Sequence, residues 1–406
     1  MTLSEIRSQF PALEAKVYGQ PLVYLDNAAT AQRPLSVVHR WEELVQGANA
    51  NIHRAVHRLA GDATDAYEST RDAVKEYLNA SAREEIVFTS GATASINLVA
   101  FSFGEAFIQE GDEIVVSVAD HHSNIVPWQM LCNRKKAVLK VLDIRENGSL
   151  HTEDLEILLS ERTKLVAIPH ISNVLGLVNP VSEMVAIAHK YDAAVLVDGS
   201  QGVVHQAVDV QALDCDFYAF SGHKLYAATG TGVLYGKRQW LDRMPPYMGG
   251  GEMIHSVKFS GTTYAPLPAK FEAGTQNFNA VPTLVPAMAF AKACLENPAV
   301  QKEQEAIFEL IYTKLTEDKR ITLYGTDKEN KIPLFSFAVQ GAHHEDLALI
   351  LDKMGIATRS GQMCAEPLMD RLGVTGLLRI SFAPYNTLQE AQYFIKSLNK
   401  AIDMLI

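Results

Sequence analysis

Three segments of the chain place a reactive side chain among small residues. Lys224 stands in "SGHKLY", Asp198 in "VLVDGSQG" and Cys364 in "RSGQMCAEPL". A charged residue that closes an apolar run must be paired, exposed or reactive, because burying a lone charge is costly. A reactive lysine, an acid that keeps a pyridine nitrogen protonated and a phosphate-binding turn are together what pyridoxal phosphate requires. The lysine and the aspartate supply two of these three parts.

The segment "FTSGATASIN" contains a candidate for the third part, a phosphate-binding turn. Gly91, Ala92 and Thr93 lie between an apolar run and an amphipathic stretch. Free backbone N–H groups and a hydroxyl at a helix start bind an anion such as phosphate. Many strand-to-helix turns share this pattern, and Asp198 is equally placed to cap a following helix. Each clue leaves a structural explanation open, while a pyridoxal phosphate site explains all three.

The chain has four cysteines, Cys132, Cys215, Cys294 and Cys364, without a short paired spacing. This pattern is typical of a reducing compartment and predicts neither a disulfide framework nor a zinc knuckle. We expect no metal site. Cys132, Cys215 and Cys294 stand among apolar neighbours and are interpreted as packing residues. From the residues alone, Cys364 is either another packing residue or a nucleophile.

Short apolar runs alternate with longer amphipathic stretches from about residue 85 onward. The runs are "EEIVFTSGAT", "DEIVVSVADHH", "KLVAIPHISN", "AAVLVDGSQG", "DFYAFSGHK" and "TGVLYGK". Alternation of this kind predicts an α/β domain with a mostly parallel sheet covered by helices on both faces. Open sheets of this type bind ligands at the carboxyl ends of their strands, where the polar clusters lie.

The length of 406 residues predicts two domains, because one hydrophobic core stops growing below that size. We expect a large domain over residues 15–290. A smaller α+β domain is expected over residues 291–406 together with the N-terminal segment 1–14, and it carries Cys364. The segment "MGGGEMIHSVKFSGTTYAPLP" interrupts the large domain as a hairpin or long loop.

Composition and charge exclude several classes of function. The net charge of −11 argues against a nucleic-acid partner, and the basic cluster "NRKK" has no aromatic platform beside it. No window of about twenty apolar residues is present, and the amino terminus lacks the features of a signal peptide. We therefore expect a cytoplasmic protein without membrane contact.

Ten segments, in order from about residue 24 to 386, resemble one family. They are "YLDNAAT", "NIHRAVH", "FTSGAT", "ADHHSNIVPW", "ISNVLG", "VDGSQG", "FSGHKLY", "FEAGTQN", "RSGQMCAEPL" and "LRISFAPYN". The set resembles the group II cysteine desulfurases of the SufS/CsdA type, a branch of the class V aminotransferase superfamily. The resemblance implies the fold type I of pyridoxal phosphate enzymes and covers nearly the whole chain.

The resemblance implies a role for individual residues. Lys224 is similar to the lysine that forms the Schiff base with pyridoxal phosphate and moves the substrate proton, and Cys364 to the cysteine that receives sulfur. His121 is similar to the imidazole that stacks on the cofactor ring. The other implied cofactor residues are Thr93, Asp198, Gln201, Ser221, His223 and Thr275. The implied substrate residues are Asn173, Arg359 and Arg379. His53 and Arg54 match a segment near the family's active site without an assigned role.

The implied reaction converts L-cysteine to L-alanine and leaves the sulfur on Cys364 as a persulfide. A SufE/CsdE-like acceptor protein then takes the sulfur for iron-sulfur cluster or other sulfur-compound biosynthesis. Thr275 resembles a residue supplied by a neighbouring subunit, which implies a homodimer. The alternatives are a selenocysteine lyase, a cysteine sulfinate desulfinase, a related hydrolase or epimerase, and a sulfur-relay scaffold whose catalysis has decayed.

The chain departs from the family pattern at several positions. Met363 stands where the family usually has a histidine before the cysteine, and Ala227 and Ala228 replace a common glycine and proline. Ala92 and Gln276 replace a threonine and a proline. From Met363 we expect slow sulfur transfer in the absence of an acceptor protein.

Overall fold

The computed structural model describes all residues, 1–406. Its strands are β1 (Lys16–Val17), β2 (Gln20–Pro21), β3 (Val23–Tyr24), β4 (Ile86–Thr89), β5 (Glu113–Ser117), β6 (Val138–Leu142), β7 (Thr163–Pro169), β8 (Ala194–Asp198), β9 (Phe217–Ser221), β10 (Gly232–Gly236), β11 (Ile254–Lys258), β12 (Gly261–Tyr264), β13 (Ile321–Tyr324), β14 (Leu334–Val339), β15 (Ile356–Ala357), β16 (Arg359–Gly361) and β17 (Leu377–Ser381). Seven of these strands form the central sheet, which positions the site.

The helices cover both faces of the central sheet, and some of them pack against a second, smaller sheet in the C-terminal region. They are α1 (Leu3–Ser8), α2 (Leu35–Gly47), α3 (Arg58–Tyr77), α4 (Ala92–Phe107), α5 (Val126–Lys135), α6 (Thr152–Leu158), α7 (Val181–His189), α8 (Gly202–His205), α9 (Val210–Leu213), α10 (Arg238–Leu241), α11 (Leu284–Leu295), α12 (Pro298–Glu317), α13 (His344–Lys353), α14 (Glu366–Leu372) and α15 (Leu388–Leu405). Short 3-10 turns span Pro11–Glu14, Arg83–Glu85, His122–Asn124, Ala269–Phe271 and Val281–Thr283. None of the helices combines the length and the apolar character that a bilayer crossing requires.

The central sheet has the strand order β4-β10-β9-β8-β7-β5-β6. β5 to β9 run parallel to one another, and β10 is antiparallel to both of its neighbours. β4 therefore points in the same direction as the parallel strands. The carboxyl ends of β4, β5, β7, β8 and β9 consequently meet at one edge.

The strands β5, β8, β9 and β10 are buried along their whole length, as expected for strands covered on both faces. Apolar side chains on the two faces belong to two separate core clusters. The predicted α/β class with a mostly parallel sheet is confirmed.

A second sheet lies in the C-terminal region, with the antiparallel order β13-β14-β17-β16. Helices α12, α13 and α15 pack around it through a third apolar cluster. This is the expected α+β region. Cys364 lies just after its edge strand β16.

The N-terminal region contacts both the C-terminal region and the segment that follows β9. β3 pairs in parallel with β15 of the C-terminal region. Phe10 packs its ring against Tyr226, Phe290 and Tyr385. The division into 15–290 and 291–406 with 1–14 stays a prediction.

Candidate active site

One cavity lies at the carboxyl edge of the central sheet, closed on one side by the C-terminal region. The predicted cofactor residues that line it are Thr93, His121, Asp198, Ser221, His223 and Lys224. The predicted substrate and sulfur residues that line it are Asn173, Arg359, Cys364 and Arg379. The fold therefore brings together side chains from strand ends far apart in the sequence.

Lys224 and Asp198 line the same cavity. Asp198 is the last residue of β8, and its carboxylate accepts a hydrogen bond from the Ser200 backbone N–H at 3.0 Å. Burial lowers the pKa of Lys224, and the Asp198 carboxylate opposes that change. A lowered pKa increases the fraction of neutral, nucleophilic amine. Lys224 is thus suited to act as a nucleophile or a base.

The start of α4 forms a turn that lines the cavity together with the lysine. The Ala92 N–H donates to Ser221 Oγ at 2.8 Å, which joins this turn to the end of β9. Gly232 on β10 packs so tightly under it that a Cβ there would overlap the backbone of Gly91. Thr93 adds a hydroxyl at the same helix start. The turn has the donor set of an anion site.

His223 lies beside this turn. Its Nδ1 is 3.2 Å from the hydroxyl of Thr30. Burial, followed by the charge of Lys224, lowers the pKa of His223 to about 4. The imidazole is therefore neutral at neutral pH and can still donate one hydrogen bond.

Two arginines of the C-terminal region form one wall of the cavity, the arginine wall, and both contact the carboxylate of Asp26. Arg359 Nη2 lies 2.8 Å from Asp26 Oδ2, and Arg379 Nη2 lies 3.3 Å from Asp26 Oδ1. Arg379 Nη1 also donates to the Asn173 carbonyl at 2.7 Å. Burial lowers the pKa of Arg379 to about 10, against the effect of Asp26, so it remains a cation at neutral pH.

Arg379 Nε is buried and has no hydrogen-bond partner. A buried donor of this kind costs free energy unless a ligand satisfies it. The guanidinium also lines the cavity. A carboxylate matches the planar donors of arginine best.

His121 lies where β5 leads into the next helix, and its ring faces the cavity. The Ser123 N–H donates to His121 Nδ1 at 3.1 Å, so the proton of the neutral ring is on Nε2. Burial and then the charge of Lys224 lower the pKa of His121. A neutral ring fixed by its own turn can stack against a planar ligand.

Cys364 is the exposed one of the four cysteines, and the other three are buried. Burial raises the pKa of the Cys215 thiol and of the Cys294 thiol. Cys364 stands in a turn where Met363 has φ 51° and Cys364 has φ 56°. The Asn173 side-chain N–H holds the Met363 carbonyl of this turn at 3.0 Å. The thiol is therefore presented by an anchored turn.

Two predicted residues do not line this cavity. Gln201 is buried beside it and donates to the Ala28 carbonyl at 2.9 Å. Thr275 lines a different cavity, together with Phe88 and Met248. Of the residues without an assigned role, Arg54 pairs with Glu252 at 2.8 Å, and His53 lies 3.1 Å from Glu68.

Sequence reasoning missed several lining or supporting residues. The lining ones are Ala28, Ala29, Ser123 and Ser200. Asp26 supports both arginines, and it follows the apolar run of β3 and Leu25. A charged residue directly after an apolar run is also the pattern that identified Asp198 in the sequence.

Comparisons with known proteins identify the family to which the chain is similar. The family described as aminotransferase class-V matches residues 23–394. The cysteine desulfurase of Pectobacterium atrosepticum is 44% identical over 400 residues, which cover 98% of this chain and 97% of that protein. The one of Dickeya dadantii is 45% identical over 400 residues, covering 98% and 96%.

Solved structures are similar over the whole chain. The cysteine desulfurase CsdA of Escherichia coli superposes with a TM-score of 0.91 at 38% identity, covering 100% of both chains. The cysteine desulfurase of Thermococcus onnurineus superposes with a TM-score of 0.92 at 34% identity, covering 100% of this chain and 99% of that one.

The chain therefore belongs to the aminotransferase class-V family, with the fold type I architecture. Within that family it belongs to the group II cysteine desulfurases.

Proposed function

We propose that this protein converts L-cysteine to L-alanine and transfers the sulfur to Cys364 as a persulfide. The observation that carries the proposal is the exposed Cys364 thiol on the cavity that also holds Lys224 and Arg379. The names of the full-length relatives support the same activity.

The residues around the cavity fit pyridoxal phosphate. Thr93, Ser221 and His223 would hold the phosphate at the helix start, and Asp198 would hold the protonated pyridine nitrogen. Lys224 would hold the aldehyde carbon. The bound group supplies an electron sink for the bonds at the substrate α-carbon.

The arginine wall would bind the amino acid. Arg379 offers its unpaired Nε to the substrate carboxylate, and Asn173 and Arg359 lie on the same wall. Arginine forms two parallel hydrogen bonds with a carboxylate, which fixes the α-carbon in one orientation. Lys224, with its lowered pKa, would accept the α-proton and return a proton later.

Cys364, as a thiolate, would then attack the sulfur of the substrate. A bond forms between Cys364 Sγ and that sulfur, and the bond from sulfur to the β-carbon breaks. Its electron pair stays with carbon, which takes up a proton. One cysteine and one thiol thus give one alanine and one persulfide, without an external oxidant or reductant.

The persulfide needs an acceptor and is accessible to one, because Cys364 is exposed. We propose a SufE/CsdE-like protein as that acceptor. Since Met363 offers no imidazole beside the thiol, turnover with cysteine is expected to rise when the acceptor is added. A turnover that is high and indifferent to the acceptor would refute this.

We further propose a homodimer that completes each site. Thr275 does not line the cavity of its own chain, which supports its assignment to the neighbouring site. Helix α2 exposes Val38, Trp41 and Val45, an apolar face available for a second copy. Light scattering should give twice the chain mass of 44.7 kDa, whereas a monomer with full activity would refute the proposal.

The deciding experiment for the reaction compares alanine formation from L-cysteine by the parent protein and by Cys364→Ala, with cofactor and reductant present. The parent should form alanine, and the variant should lose at least about a hundredfold because it lacks the nucleophile. Cys294→Ala, which removes a buried thiol, is the matched control and should keep the activity.

Other results have distinct meanings. Equal alanine from the parent and Cys364→Ala would assign a lyase that needs no protein thiol, such as a selenocysteine lyase. A parent protein that forms no alanine, even with an acceptor, would reject the proposed reaction.

A further inference from the structure

The turn that carries Cys364 has two consecutive residues in the left-handed backbone region. Met363 and Cys364 both have positive φ, a conformation that is unfavourable for a residue with a side chain. Within the turn, the Ala365 N–H donates to the Gln362 carbonyl at 2.9 Å. Such a conformation persists where surrounding groups hold it.

His122 makes two contacts with this part of the chain, one to Cys364 itself and one to Glu366. Its backbone N–H donates to the Cys364 carbonyl at 2.7 Å. Its ring Nε2 accepts a hydrogen bond from the Glu366 backbone N–H at 2.9 Å. His122 lies in the loop after β5, so both contacts join the large sheet to the cysteine turn.

The ring contact also satisfies a helix end. Glu366 is the first residue of α14, and no side chain of its own helix start caps it. The first N–H groups of a helix have no partner within the helix. His122 therefore caps α14 from another part of the chain.

The ring must be in one protonation state for this contact. A nitrogen that accepts from an N–H carries no proton, so His122 is neutral with its proton on Nδ1. The neighbouring His121 faces the cavity, and its own Nδ1 accepts from Ser123. The adjacent histidines thus have separate tasks, one toward the cavity and one toward the cysteine turn.

We propose that His122 is a positioning residue that holds the Cys364 turn in the conformation from which the thiol reaches the substrate sulfur. This inference rests on the proposed desulfurase function. It assigns to His122 no contact with substrate or cofactor. The geometry of Cys364 then depends on the side chain of His122, which lies 242 positions earlier in the chain. The contact that carries this dependence joins His122 to Glu366, which are 244 residues apart.

The test compares two substitutions in the full-length, cofactor-loaded protein. His122→Phe keeps a planar aromatic ring of similar bulk and removes the acceptor, whereas the side-chain oxygen of His122→Gln can reach the position of Nε2 and accept from Glu366. We expect kcat for alanine formation to fall about tenfold or more in His122→Phe with KM within about twofold, and to recover in His122→Gln. His151→Phe, on an exposed imidazole away from the cavity, should change neither constant.

A second measurement does not depend on turnover. The rate at which iodoacetamide alkylates Cys364, followed by mass spectrometry, reports how the turn is held. His122→Phe should change this rate at least about threefold, with His122→Gln and His151→Phe at the parent rate. The visible spectrum of the bound cofactor should be the same in all variants.

Parent-like kcat and alkylation in His122→Phe would overturn the inference. A His122→Gln variant as impaired as His122→Phe would also overturn it, because the acceptor would then not be what matters. If His122→Phe does not fold, His122→Ala provides the same comparison with His122→Gln. If the parent forms no alanine, the desulfurase function fails, while the alkylation rates still decide whether His122 holds the turn.

Discussion

Arg379 is a buried cation whose hydrogen bonds are incomplete within the chain. It donates to Asn173 and Asp26, while Nε has no partner. Unpaired buried donors are rare in folded proteins because each costs about 1 to 3 kcal/mol. An incoming carboxylate would remove this cost, as the proposed role of Arg379 in substrate binding requires.

Replacing Arg379 by lysine should therefore weaken substrate binding. Lysine keeps the charge but lacks the planar pair of donors. We expect KM for L-cysteine to rise about tenfold or more, as follows from the loss of a charge-assisted hydrogen bond. Steady-state alanine formation measures this. Arg145→Lys, in an exposed ion pair with Asp154, is the control, and an unchanged KM in Arg379→Lys would contradict the assignment.

At the scale of elements, the turn between β4 and α4 depends on its contact with β10. Gly232 pairs with Thr89 on one side and Ser221 on the other. Any Cβ at Gly232 would overlap the backbone of Gly91, and backbone atoms cannot rotate away as a side-chain end can. The glycine thus allows the helix start to sit directly on the sheet.

Gly232→Ala should displace this helix start and weaken the proposed phosphate site. We expect the Kd for pyridoxal phosphate to rise at least about tenfold, since overpacking of this kind costs about 1 to 3 kcal/mol. Absorbance titration of the cofactor-free protein measures the Kd. Gly249→Ala serves as the control, because a Cβ at Gly249 meets nothing within 4 Å. Equal affinities in the two variants would refute the prediction.

At the scale of the whole molecule, one short segment joins the two sheets beside the cavity. The carbonyls of residues 173–175 accept, in order, from Arg379, Ser336 and Lys331 of the C-terminal region. The side chain of Asn173 also holds the Met363 carbonyl. The substrate wall and the cysteine turn are thereby attached to the same segment.

Lys331 should make stability depend on pH. Burial lowers its pKa to about 7, and Asp327 opposes the change. Between about pH 7 and the ordinary lysine value of about 10.4, the unfolded chain binds a proton that the folded chain does not. The unfolding free energy therefore rises with pH in that window, by up to about 1.4 kcal/mol per unit from this group.

Lys331→Met should remove this rise. Unfolding of the parent and the variant from pH 6.5 to 9.5 measures it, and the parent should gain stability relative to Lys331→Met as the pH increases. Lys140→Met is the control, because Lys140 also donates to a backbone carbonyl, that of Leu158. A difference between parent and Lys331→Met that does not vary with pH would show that Lys331 titrates outside this window.

The sequence by itself determined the sheet and most of the cavity wall. Apolar runs ending in Asp198 and Ser221 predict buried strands with polar carboxyl ends, because the hydrophobic pattern of a strand is a local property of the sequence. Parallel strands must end at one edge, so these residues had to meet. Family resemblance then added Asn173, Arg359 and Arg379, whose own segments carry weak local signals.

Only the tertiary structure decided which distant groups touch. Arg379 and Asp26 lie 353 residues apart, and Asn173 reaches Met363 across 190. The same holds for His122, which caps a helix that begins at Glu366, and for Thr275, which lies outside the cavity of its own chain. No local pattern encodes such pairs, because each depends on how the two sheets pack and not on the residues that flank it.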